Sequence, residues 1–280
     1  MLAKLIKYDL QFILKTVAIY AVILLCCAAL FNMTAYDTPC WLDDNYMPVC
    51  DEPPVFLQIT HTIFWNAIFA VIIGLLLNSV IRTWIRFKIN LFSDEGYLTN
   101  TLPITRKTLW ASKFFSAIIV TLLVIGTIAI TLSILQLTPS GKDLAITFGF
   151  GMPDATPIFY LVYLFTFFTQ YLYATICGFT GITIGSKTNN HRNFRAVICG
   201  FAVYIIGILI MLGCFRVWAN FDTSIHAMLF GAKPPQIAHE IFNQDFMIMV
   251  LTGIGAIYTV LITTLYFINR KLLNDGINLD

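Results

Sequence analysis

Charge is what this sequence has least of. Asp, Glu, Lys and Arg make up 11% of its 280 residues, against about 25% in a typical soluble domain. Hydrophobic residues make up 58% and the mean hydropathy is +0.80. A soluble fold of this size cannot cover such a composition with polar surface, so the chain reads as an integral membrane protein.

Catalytic and nucleotide-binding motifs are also missing. No GxxxxGK[ST] phosphate loop occurs, and the lone Gly-Lys pair, Gly141-Lys142, is followed by Asp143, which excludes ATP binding by that route. His61, His191, His226 and His239 are scattered, none forms HExxH, and there is no GxSxG nucleophile elbow. No CxxC and no Cys/His cluster with zinc spacing is present, and no Lys/Arg run marks a nucleic-acid patch. The acid pairs Asp43-Asp44, Asp51-Glu52 and Asp94-Glu95 fall in polar loops, where adjacent acids are solvated. None of the long apolar segments carries Asp, Glu or His in its middle, where an intramembrane enzyme or ion-coupled transporter keeps its ionisable groups. The expectation is a chain with no catalytic residue, no metal and no cofactor of its own.

Long apolar runs are abundant. A spanning helix needs roughly 20 apolar residues, and six segments qualify: about 16–35, 62–82, 114–137, 157–185, 195–215 and 246–268. They are too long, and too little alternating, for barrel strands. The first is longer than a signal-peptide core and lacks a small-residue cleavage site, so it reads as a retained span. The expected architecture is all-α, one transmembrane domain over residues 1–280.

The charges that exist are sorted by side. Lys and Arg concentrate at the N-terminus (Lys4, Lys7, Lys15), between spans two and three (Arg82 to Lys113), between spans four and five (Lys187, Arg192, Arg195) and at the C-terminal end (Arg270, Lys271). The opposite side has Lys142, Arg216 and Lys233 alone. The positive-inside rule then puts both termini in the cytoplasm.

Within Met1–Lys15, Leu2, Ile6, Leu10 and Ile13 make one helical stripe, and Lys4, Lys7, Gln11 and Lys15 the other, the spacing of an interfacial amphipathic helix. Cys40 and Cys50 share one outer loop, about 36–60, and are expected to pair there and stiffen an exposed cap. Arg216–Asp245 is outer but rich in apolar residues and broken by Pro234-Pro235, which suggests short helices packed on the bundle. Gly181 and Gly185 form a GxxxG that reads as close helix packing. Neutral polar residues in the spans, among them Asn66, Asn78, Gln136, Thr169 and Gln170, suit interhelical hydrogen bonds. Polarity alone makes Asn66, Asn78 and Gln170 candidates for a substrate path.

The stretch NLFSDEGYLTNTLPITRKTLWASK, Asn90 to Lys113, is the largest polar feature on the cytoplasmic side. Gly96 permits a sharp reversal, Pro103 turns Leu102 away from helix, and Thr105 suits an N-cap for the helix entering span three. Asp94 and Glu95 offer charge-assisted contacts, and Tyr97 and Leu98 an apolar anchor.

This segment resembles the one after the second span in permease subunits of bacterial type-2 ABC exporters. The matching residues are Asp94, Glu95, Gly96, Tyr97 and Leu98, then Thr101, Leu102 and Pro103, then Arg106 or Lys107, then Ser112-Lys113. About 20 residues match in detail. The rest of the chain agrees in layout: an interfacial N-terminal helix, six spans, an apolar loop before the last span and a short basic tail. The resemblance implies a cytoplasmic coupling helix within 90–112 that docks on a separate ATP-binding subunit, which would hold ATP and Mg. It also implies a pathway made with a second permease chain, identical or homologous, in a bacterial cell membrane. A peptide, a drug or a lipid-like molecule suits the aromatic, weakly charged spans as cargo. The alternative is a membrane sensor or immunity component that binds a ligand through the Cys40–Cys50 loop.

Overall fold

The computed structural model describes residues 2–34, 40–42, 48–50, 54–92, 105–137, 156–187, 192–221, 225–226 and 244–274. Six helices carry the fold: α1 (Leu2–Met33), α2 (Val55–Phe92), α3 (Arg106–Leu135), α4 (Pro157–Gly185), α5 (Arg192–Trp218) and α6 (Gln244–Asn274). All six are long and apolar enough to cross a membrane, and the chain is an all-α membrane protein. Between α1 and α2, β1 (Cys40–Leu42) and β2 (Pro48–Cys50) pair antiparallel with Cys40 opposite Cys50 in the backbone register. The side chains there, and with them the expected bridge, lie outside the described residues.

Each expected span falls largely within one helix, but several helices run further. At 38 residues α2 is about 57 Å long, against a hydrocarbon core of about 30 Å. The extension Thr83–Phe92 mixes Arg86 and Lys88 with Trp84, Phe87 and Leu91, so it keeps an apolar face to pack while its hydropathy drops below that of a span. In α1 the amphipathic segment and the first span are one uninterrupted helix. Its Lys4, Lys7, Gln11 and Lys15 are exposed, whereas Ile6 and Leu10 are half-buried and Ile13 is buried.

The chain forms two compact units: Met1–Ile13 with Val80–Leu122 and Thr156–Asp280, and Leu14–Ser79 with Leu123–Ala155. In the first, α4 packs most extensively, against α5 and α6. Its buried threonines suit that position. Thr166, Thr175, Thr180 and Thr183 donate to carbonyls one turn back, Val162, Tyr171, Ile176 and Phe179, so each hydroxyl is satisfied without leaving the helix. In the second unit, Asn32 Nδ2 donates to the Ile134 carbonyl at 2.9 Å and Asn78 Nδ2 to the Tyr20 hydroxyl at 3.2 Å. Leu24, Ala28, Phe31, Ile68, Ile72 and Leu132 fill its interior.

Trp110, at the start of α3, is fully buried in the first unit. It meets Phe87 and Phe179 edge-on, with centroids 6.1 and 6.0 Å away, and Tyr266 at 5.9 Å. Its indole N–H has no hydrogen-bond partner among the described residues. Trp110→Ala is therefore expected to cost about 3–5 kcal/mol. Trp110→Phe should cost much less, since it keeps an aromatic ring and breaks no hydrogen bond. Thermal unfolding of both variants in mild detergent checks the order.

The outer faces carry the mark of a lipid solvent. On α5, Phe194, Val197, Phe201, Ile206 and Leu209 are all exposed, a surface that monomeric soluble proteins rarely present.

Candidate functional site

The chemistry of the first unit gathers at the ends of the helices where the basic residues lie. Asp9 sits on the inward stripe of α1, three residues after Ile6 and four before Ile13, and its side chain is 4% exposed. A carboxylate buried in this way is stable only if charge and hydrogen bonds meet it. Lys113, the eighth residue of α3, does so, with Nζ 2.7 Å from both Asp9 Oδ1 and Oδ2. Asn90, near the end of α2, donates from Nδ2 to Asp9 Oδ1 at 2.8 Å. One turn earlier on α2, Arg86 brings Nε to 3.4 Å from Asp9 Oδ1. Its guanidinium also lies 5.5 Å from the centroid of the Phe12 ring, and that of Arg82 5.9 Å, both within cation–π range.

One buried acid thus ties α1, α2 and α3 together. Asn90 and Lys113 bracket the segment between α2 and α3, so the cluster sits at both roots of the loop singled out in the sequence. Asp94, Glu95, Gly96, Tyr97, Leu98 and Pro103 lie outside the described residues. Its return into α3 is described. Thr105 caps the helix as expected, accepting the Thr108 amide on Oγ1 at 3.3 Å. Arg106 Nη1 donates to the Leu273 carbonyl at 3.1 Å, a cation on the closing carbonyls of α6.

Sequence reading missed Asp9. It treated Arg86 and Arg82 as markers of orientation, counted Lys113 there and in the pattern of the Asp94 segment, and passed over the single acid among the N-terminal lysines. The signal was present: Asp9 falls between Ile6 and Ile13 on the apolar stripe, and a charge on a packing face needs a partner.

Two of the three proposed path residues make hydrogen bonds, one within its helix and one between helices. Asn66 donates to the Thr62 carbonyl of its own helix at 2.8 Å, and Asn78 is engaged by Tyr20. Gln170 is half-buried on α4. Among the described residues no group of three His, Cys, Asp or Glu side chains is placed to hold a metal ion. An acid held by a lysine, an asparagine and an arginine is suited to fixing helices in register. Comparison of the chain with protein-family models, curated proteins and solved structures finds no match.

Proposed function

We propose that the chain is the membrane-spanning subunit of an ATP-driven exporter of the type-2 ABC class, moved by a separate ATPase that docks on Asp94–Leu98. The observation that carries this reading is the buried Asp9–Lys113–Asn90 cluster at the roots of that segment. A loop hung between two loose helix ends would absorb a push. A loop hung between ends locked to one another and to α1 hands the push to three helices at once. The residue pattern from Asp94 to Lys113 supports the same reading, as does the lack of a phosphate loop in the chain itself. On this reading the termini are cytoplasmic and a second permease chain completes the pathway. The Cys40–Cys50 bridge stiffens the outer cap, and the cargo is a peptide, a drug or a lipid-like molecule.

The test is coupling. The full chain is purified in mild detergent, and the co-purifying proteins are searched for a phosphate-loop subunit. Glu95→Arg and Tyr97→Ala are then expected to leave the chain folded and in the membrane while cargo no longer accelerates ATP hydrolysis. Wild-type coupling in both variants, or the absence of any ATPase partner, would overturn the proposal.

A further inference from the structure

Within the first unit, α2, α4 and α5 enclose an apolar groove of about 550 Å³, a volume in the range of ligand sites. Trp84 and Ile85 form one wall, and Val197 and Tyr204 the other. At one end Lys88 Nζ donates to Asn193 Oδ1 at 2.7 Å, and both residues are exposed. Arg192 and Arg195 flank Asn193 on the first turn of α5. Among the described residues, none that lines the groove is acidic.

Length and charge identify the occupant. From Asn193 to Tyr204 the groove follows eleven residue steps of α5, about 16 Å at 1.5 Å per step, or about half of a ~30 Å hydrocarbon core. It therefore reaches through one leaflet, the leaflet that meets the basic helix ends. An apolar channel one leaflet deep with a lysine at its mouth matches an acyl chain beneath an anionic headgroup. Basic pockets between spanning helices recognise lipid headgroups in this way. A second copy of the chain fits worse, because in the same membrane orientation its own basic helix ends would be brought level with Lys88.

We propose that this groove holds an acyl chain of an anionic phospholipid, with its phosphate drawn to Lys88. The proposal does not rest on the export reading; it requires only that the helices span a bilayer.

Trp84 supplies the probe. The full chain is reconstituted in phosphatidylcholine vesicles containing increasing dibrominated phosphatidylglycerol or dibrominated phosphatidylcholine, and Trp84→Phe isolates the Trp84 emission by difference. Half-maximal quenching of that emission is expected at an about fivefold lower mole fraction of the anionic lipid. Lys88→Ala, at an exposed site, should bring the two curves together. Val197→Phe, at a position 71% exposed, should narrow the groove and weaken quenching by both lipids. Equal quenching by the two lipids in the wild-type chain, or a preference that survives Lys88→Ala, would overturn the proposal. So would a Trp84 emission that neither lipid reaches, since protein would then fill the groove.

Discussion

Lys113→Met is expected to destabilise the protein by about 3 kcal/mol or more, because it strands the Asp9 carboxylate inside the helix bundle. Removing one partner of a buried pair typically costs about 3–5 kcal/mol, most of it the penalty of an uncompensated charge. Two groups soften the loss: Asn90 still donates at 2.8 Å, and Arg86, 21% exposed, still stands 3.4 Å away. They place the expected cost at the lower end of the range. Asp9→Asn should also be costly, since it leaves the Lys113 ammonium, 5% exposed, without its carboxylate and turns an amide NH2 toward a group that can only donate. The discriminating variant is the double, Asp9→Leu with Lys113→Met. It leaves no charge of the pair to strand, and Arg86 is open enough to solvate itself. Buried pairs replaced by packed apolar groups are often neutral or stabilising, so the double is expected to recover part of what Lys113→Met loses, the remainder being the buried Asn90 amide left without its carboxylate acceptor. Thermal unfolding of the wild type, Asp9→Leu, Lys113→Met and the double in one detergent gives the coupling energy. A Lys113→Met cost below about 1 kcal/mol, the scale of an exposed pair, would mean that the cluster does not hold the helices.

The physical reasons for what sequence reading reached and missed differ residue by residue. The six helices were legible because lipid leaves no alternative: a run of about 20 apolar residues must be helical to satisfy its backbone. Where a helix continues past the bilayer, hydropathy goes silent, which is why α2 extends ten residues past the expected end at 82. The capping role of Thr105 was legible because it is local, a hydroxyl three residues before the amide it accepts. The ionic cluster was not, because its members are remote in sequence: Asp9 and Lys113 are 104 residues apart and Asp9 and Asn90 are 81 apart. What the sequence did carry was one half of the pair, Asp9 on an apolar stripe, without the identity of the other half. The groove at Lys88 was hidden for the same reason, being made by α2, α4 and α5 together.

The other large effect is expected at Gly181. Among the described residues of α5, Gly207 and Phe215 alone are buried, so few side chains anchor this helix. Lipid tails are as apolar as its surface, so hydrophobic burial supplies little force between helices, and close approach must hold them. Gly181 and Gly185 of α4 provide that approach. A Cβ at Gly181 would lie 2.4 Å from the Ala196 carbonyl oxygen and 2.5 Å from the Gly200 nitrogen; one at Gly185 would lie 2.6 Å from the Ala196 nitrogen. These are backbone atoms of α5 and cannot rotate away, so α4 and α5 must separate. Gly181→Ala is expected to cost about 1–3 kcal/mol, the range of overpacked cores, and Gly181→Leu more. Gly126 and Gly213 are the internal controls, because a Cβ at either meets nothing within 4 Å. Alanine there changes only helix propensity, a gain of up to about 1 kcal/mol. One substitution, glycine to alanine, should thus carry opposite signs at Gly181 and Gly213, measured as melting temperatures in the same detergent. A destabilisation at all three positions would point to a general need for helix flexibility. A loss confined to Gly181 assigns the energy to the contact between α4 and α5. The GxxxG pair is then engaged within the chain and is not free to serve as a contact between copies.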